Sequence, residues 1–125
     1  MREILFRGKT EKGEWVQGDL LHPDLYGNGC AIEDFTKEKN NCFDVIPETV
    51  GQFTGLTDKN GTKIFEGDIV EYDEEYGCTT YDENEARFAV HFDTWMTDFD
   101  HLYSNELEVV GNIHDNPELL KGGAE

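Results

Sequence analysis

The sequence predicts a mostly-β fold with minimal helix, and three observations carry that expectation. Short apolar runs recur between glycine-bearing turns along most of the chain. No window sustains a 3.6-residue apolar period over ten residues, as an amphipathic helix would. One stretch, Ala86 to Phe92, alternates cleanly, with Phe88, Val90 and Phe92 on one face and Arg87, Ala89 and His91 on the other. The 125 residues suit a single domain. Within it the expected parts are an N-terminal β-module over residues 1–49, a meander or small SH3-like barrel over 50–115, and a tail at 121–125.

Taken in order, Ile4 to Arg7 reads as a first strand, Glu11-Lys12-Gly13 as a turn, and Glu14 to Leu21 as a second strand anchored by Trp15. From His22 to Asn41 the pattern breaks into Pro23, Gly27, Asn28, Gly29 and a polar run, an excursion outside the core. Cys42 to Ile46 is a short strand ended by Pro47. Val50 to Leu56 leads into Asp58-Lys59-Asn60-Gly61, a hairpin signal, because Asn-Gly tolerates positive φ. Lys63-Ile64-Phe65, the Glu66-Gly67-Asp68 turn and Ile69 to Tyr72 follow. Residues 73–85 read as a loop of acids and small polar groups, Ala86 to Phe92 and Glu106 to Ile113 as the last strands. Asn116 to Leu120 reads as one helical turn, with Asn116 as N-cap and Pro117 at the first helical position. The predicted core sets Phe88, Val90 and Phe92 among Trp15, Phe53, Ile64, Ile69, Val70 and Val109.

The chain also echoes itself. Gly8 to Gly13, then Trp15-Val16 and Gly18 to Leu21, parallels Gly55 to Gly61, then Ile64-Phe65 and Gly67 to Val70. Both read as a charged turn, an aromatic strand, a Gly-Asp turn and an apolar strand, one hairpin solution used twice.

Pro47-Glu48-Thr49-Val50-Gly51-Gln52-Phe53-Thr54-Gly55-Leu56, with Asp58-Lys59-Asn60-Gly61 and Ile64-Phe65-Glu66-Gly67-Asp68-Ile69-Val70, resembles the YopX-like family of phage and prophage proteins. Phe6-Arg7-Gly8-Lys9 with Gly13-Glu14-Trp15-Val16 is similar to that family's opening, and Gly111-Asn112-Ile113 with Asn116-Pro117-Glu118-Leu119-Leu120 to its close. The resemblance implies a phage or prophage origin and a β-rich protein in the cytoplasm of a bacterial host. It carries over no catalytic residue. The shared motifs read as turn chemistry and core filling.

Charge narrows the function further. The net charge is −18. Residues 66–108 hold fourteen acids against one base, Arg87. A field of that sign repels nucleic acid and anionic membranes, so neither is expected as a partner. No run approaches the length of a membrane span or a signal peptide, which sets the expectation of a cytoplasmic protein. Eight Phe, five Tyr and two Trp are core enough for folding without a metal or disulfide. Cys30, Cys42 and Cys78 then read as free thiols.

Candidate chemistry is sparse. There is no Gly-x-Ser-x-Gly elbow, Walker A loop or Rossmann glycine pattern, and Ser104 is the sole serine. A thiolate in so acidic a chain lacks the positive surroundings that activate it. Asp93, Asp98, Asp100 and His101, with His114 and Asp115 farther on, offer ligands for a hard cation, though neither a calcium-loop spacing nor an H-E-x-x-H helix is present. No catalytic, cofactor-binding or metal residue is therefore assigned. The expected function is a non-catalytic interaction module, a phage or prophage accessory protein whose acidic surface docks on a basic host or phage protein, with homo-oligomer formation left open. The alternative is a small metal-dependent hydrolase using the Asp93–His101 cluster. Glu71, Asp73, Glu74, Glu75, Asp82, Glu83 and Glu85 are expected to form one exposed acidic lobe.

Overall fold

The computed structural model describes residues 3–21, 29–37, 41–93, 95–98 and 106–121. Among them, eleven strands pair antiparallel throughout, and helix amounts to a short 3-10 turn, a 3-10 residue at Glu106 and one final α-helical turn. The chain divides into two compact units, residues 1–53 and 54–125.

The first unit contains β1 (Phe6–Lys9), β2 (Trp15–Leu21), β3 (Cys30–Glu33), β4 (Cys42–Val45), a 3-10 turn (Pro47–Thr49) and the start of β5 (Gly51–Thr57). Its sheet runs β4-β3-β2-β1-β5. Buried Val16, Ile32 and Val45 form its core, with Phe6, Leu20, Cys30, Phe43 and Val50 packed against them. β3 lies inside the span 22–41 expected to be an excursion. It pairs with both β2 and β4, and its Ala31 and Ile32 are buried. Four residues amid glycine and polar neighbours are too short a run to show periodicity. Gly18 makes this sheet possible in an unexpected way. It sits within β2, and a Cβ there would run into the Glu33 backbone carbonyl, so only glycine lets the chain pass. Thr49 fastens the 3-10 turn to β1: its hydroxyl accepts from Lys9 N–H at 2.9 Å and donates to the Ile46 carbonyl at 2.6 Å.

The second unit continues β5 and adds β6 (Lys63–Phe65), β7 (Asp68–Tyr72), β8 (Glu75–Asp82), β9 (Arg87–His91), β10 (Met96–Asp98), β11 (Glu108–Asn112) and α1 (Glu118–Lys121). Strands β7 to β10 follow one another as neighbours, and β11 returns to pair with β7, giving the order β10-β9-β8-β7-β11. This is the expected meander. The sheet stays open, with β10 and β11 as its edges, so among the described residues no closed barrel forms. β8 replaces much of the loop expected at 73–85. Its inward positions carry Gly77 and Thr79, too small and polar to advertise a buried face.

The core here consists of Ile64, Val70, Val90, Phe92 and Leu107, with Tyr72 and Val109 against it. Val90 and Phe92 point inward as predicted. Phe88 is half-buried, with its ring edge-on to Tyr81 at 5.2 Å between centroids. Ile69 is fully buried, but strand alternation sets it on the opposite sheet face from Val70. Trp15 and Phe53 belong to the first unit, not to this core. The Asn116 side chain, expected as the helix N-cap, is turned back to β11. Its carbonyl accepts from Asn112 N–H at 3.3 Å, while its backbone carbonyl accepts from Leu119.

The internal echo is real at its first turn and ends there. Thr10 N–H donates to the Glu14 carbonyl, Gly13 N–H to the Thr10 carbonyl and Glu14 N–H to the Thr10 hydroxyl. Asp58, Gly61 and Thr62 repeat all three bonds, and Gly13 and Gly61 share φ near 90° and 84°. Beyond it, Gly67 turns the chain at φ 94°, whereas Gly18 lies in a continuous strand.

Asp58 does more than Thr10. Its Oδ1 accepts from Asn60 N–H at 2.8 Å and Thr62 N–H at 2.9 Å, and its Oδ2 from Val109 N–H at 2.8 Å. Burial alone would raise this carboxyl, but the bonds from Val109, Thr62 and Asn60 and the nearby Lys59 ammonium outweigh it and hold it below its ordinary 3.8. A depressed folded-state pKa gives stability that is complete above the unfolded value and lost as pH falls through the folded one. Asp58→Asn turns one acceptor into a donor. It should cost about 1–3 kcal/mol at neutral pH, the scale for a buried partner left unsatisfied. The gap between variant and parent should narrow below the ordinary carboxyl pKa, because the parent then loses the same interaction. Urea denaturation at neutral and acid pH reads both effects; a gap unchanged with pH would contradict the role given to the carboxylate.

Candidate functional site

Of the acids expected in one lobe, Glu71 is half-buried within β7 and the others are placed at two separate tips. Asp73 and Glu74 form the β7–β8 turn, both left-handed at φ 52° and 69° and both exposed, and exposed Glu75 begins β8. At the other end of β8, Glu83 and Glu85 are exposed on the β8–β9 turn. A strand of eight residues separates the tips by about 24 Å at 3.4 Å per residue. Asp82 is half-buried and serves its own turn, its Oδ1 accepting from Asn84 N–H at 3.0 Å and Glu85 N–H at 3.3 Å. Arg87 stands opposite Asp82 in register.

The β7–β8 tip adjoins an aromatic platform that no sequence pattern singled out. A Cβ on Gly77 would meet Val90 at 2.7 Å and the Phe92 ring at 2.9 Å, so the glycine leaves room for Phe92 to lie on β8. Trp95 stacks on Phe92, centroids 4.5 Å apart and planes within 12°. Tyr72 flanks Phe92 at 6.5 Å. The Trp95 indole N–H donates to Glu75 Oε1 at 3.2 Å, which joins platform to acidic tip. Trp95 remains 38% exposed, and exposed Asp93 lies between the two rings in sequence.

The candidate metal ligands are not brought together. Asp93 and Asp98 belong to the β9–β10 edge of the sheet, while His114 and Asp115 follow β11 at the opposite edge. Asp115 also accepts from the Asn112 side-chain amide at 3.3 Å. Asp100 and His101 lie outside the described residues. Among the described residues no three His, Cys, Asp or Glu side chains could share a metal ion.

The thiols are dispersed as well. Cys30 pairs with Val45 and Cys42 with Glu33, at opposite ends of the β3–β4 ladder. Cys78 stands opposite His91, the arrangement a cysteine nucleophile would need. Burial, reinforced by the carboxylates of Asp68 and Glu66, pushes its thiol up, against formation of the thiolate.

Fold and site together define a small antiparallel β protein whose buried polar groups pin turns and whose exposed chemistry is acidic and aromatic. The YopX protein family matches residues 5–121, and the chain belongs to that family. It is similar to a solved structure, protein EF1440 from Enterococcus faecalis, at 25% identity with a TM-score of 0.60, over 96% of this chain and 99% of that one. No curated protein matches the chain. Among the described residues no helix is long and apolar enough to cross a membrane.

Phe92 is the shared member of core and platform. Phe92→Ala should cost about 3–5 kcal/mol, read by urea denaturation. It should also abolish the near-ultraviolet circular dichroism of the stacked pair, since Trp95 loses its neighbour. Retention of that signal would show that the stack does not order Trp95.

Proposed function

We propose that the protein is a phage or prophage accessory factor that works by docking rather than catalysis, presenting an acidic surface to a basic host or phage protein in the bacterial cytoplasm. The observation that carries this reading is the charge of the second unit, eighteen acids against four bases, with a cluster of exposed carboxylates on the β7–β8 tip. Such a field raises the local concentration of a cationic partner and speeds its encounter. Membership in the YopX family agrees with the resemblance that suggested a phage origin.

The test divides the acids by tip. One variant carries Asp73→Asn and Glu74→Gln, a second Glu83→Gln and Glu85→Gln; Asp82 is left intact because it holds its turn. A basic partner captured from host lysate should associate with the parent at a rate that falls steeply with salt, as screening removes long-range steering. The first variant should weaken that partner several-fold with its melting temperature unchanged or raised. An identical set of captured proteins for the parent and for a variant combining all four substitutions would leave solubility as the acids' only role.

A further inference from the structure

The two tryptophans of this chain are treated differently by their surroundings. Trp15 lies under the chain's own cations: the Arg7 guanidinium carbon is 4.8 Å from its ring centroid and the Lys9 ammonium 5.9 Å. Among the described residues no cation lies over Trp95 in this way. One face of its indole is stacked on Phe92 and its N–H is committed to Glu75, yet the residue is 38% exposed. Glu75, the turn residues Asp73 and Glu74 that precede it, and Asp93 two residues before Trp95 are all exposed carboxylates. The indole is held firmly, because Phe92 beneath it is buried and seated over Gly77.

We propose that Trp95 and Glu75 form the seat for an arginine side chain of a basic protein segment. The contact deepens the docking reading above and rests on it. A guanidinium laid on an indole face gains from the ring quadrupole, and more so where a carboxylate lies alongside. The Trp95–Glu75 hydrogen bond fixes a carboxylate at the indole's polar edge while leaving the other carboxylate oxygen for a cation. Arginine suits the site better than lysine because its planar group stacks and donates in the same plane. The bond also pre-organises both partners, so little side-chain freedom remains to be lost on binding. Charge complementarity selects this occupant: Glu75 bonds to the indole, Asp73, Glu74 and Asp93 are exposed carboxylates close to Glu75 or Trp95 in the chain, and an acidic segment would be repelled.

The experiment titrates the whole chain with an octa-arginine and an octa-lysine peptide at low and physiological salt. Binding is followed through the two indole N–H resonances in nitrogen-15 spectra. The Trp95 resonance should move while that of Trp15 stays, with octa-arginine the tighter ligand. Trp95→Leu should weaken octa-arginine about tenfold. Trp95→Phe should restore part of the loss. Glu75→Gln, which keeps an acceptor for the indole, should weaken binding several-fold, whereas the Glu83→Gln, Glu85→Gln pair on the distant tip should not. Chemical-shift dispersion of each variant confirms its fold. Binding that survives Trp95→Leu undiminished would overturn the seat and leave the acidic docking surface standing. Absence of binding by either peptide at low salt would overturn both.

Discussion

Asp58 sits where two segments remote in sequence have to meet. The β5–β6 turn places three backbone N–H groups within reach of one carboxylate, two of its own and that of Val109 on β11. Beside it Lys59 N–H donates to the carbonyl of Leu107, whose side chain is fully buried in the second core. With two oxygens and about four lone-pair sites, a carboxylate can serve all three donors; an amide or a hydroxyl cannot. The return of β11 to the edge of β7 therefore depends on a charge in a turn. A hydrophobic contact could hold the segments together, but it would not fix which residue of β11 lies opposite which residue of β7, because burial is not directional. The bulge between Val109 and Gly111 in that pairing makes register a real issue there.

The same logic of small residues making room for large ones runs through both sheets. Gly18 lets β2 pass the Glu33 carbonyl, and Gly77 lets Phe92 lie flat on β8. The first opening serves pairing alone. The second has a surface consequence, since a ring seated low in the core can carry another ring on its outer face. Trp95 is thereby presented at the surface from a rigid base. A surface tryptophan without such a base would move freely and lose more freedom on contact.

The sequence made the hairpins legible and the sheets only partly so. Asp58 to Gly61 announced its turn through residue types whose backbone needs are local, and the β6, β7 and β9 strands announced themselves through apolar runs. β3 and β8 were hidden because their burial is conferred by partners. Gly77 lies under Val90 and Phe92 and Thr79 is fully buried beside it, and nothing local to 75–82 says so. Ile69 was assigned to the wrong face because β7 is buried on both sides, so its apolar run lacks alternation. Asp73, Glu74, Glu75, Glu83 and Glu85 are exposed as expected, whereas Glu71 and Asp82 are half-buried, and the single lobe is divided by a strand that the sequence reading missed. Trp95 escaped notice entirely: a lone aromatic between Thr94 and Met96 has no period, and its role arises from the stack on Phe92.

The β7–β8 turn has a further consequence. A two-residue hairpin turn with both residues left-handed is relaxed when filled by Asn-Gly or Asp-Gly. Here it is filled by Asp73 and Glu74, followed at once by Glu75. An L-residue in that region costs roughly 1 kcal/mol or more, and three consecutive carboxylates repel one another. Local preference and global fold disagree at this tip, a point of frustration shared in milder form by the β8–β9 turn, where Ala86 has φ 56°. What keeps the turn closed is the pairing behind it, Tyr72 with Glu75 and Glu71 with Tyr76. A cation bound beside those carboxylates relieves the repulsion and leaves the backbone strain, so the tip's electrostatics bear directly on how tightly β7 and β8 hold their register.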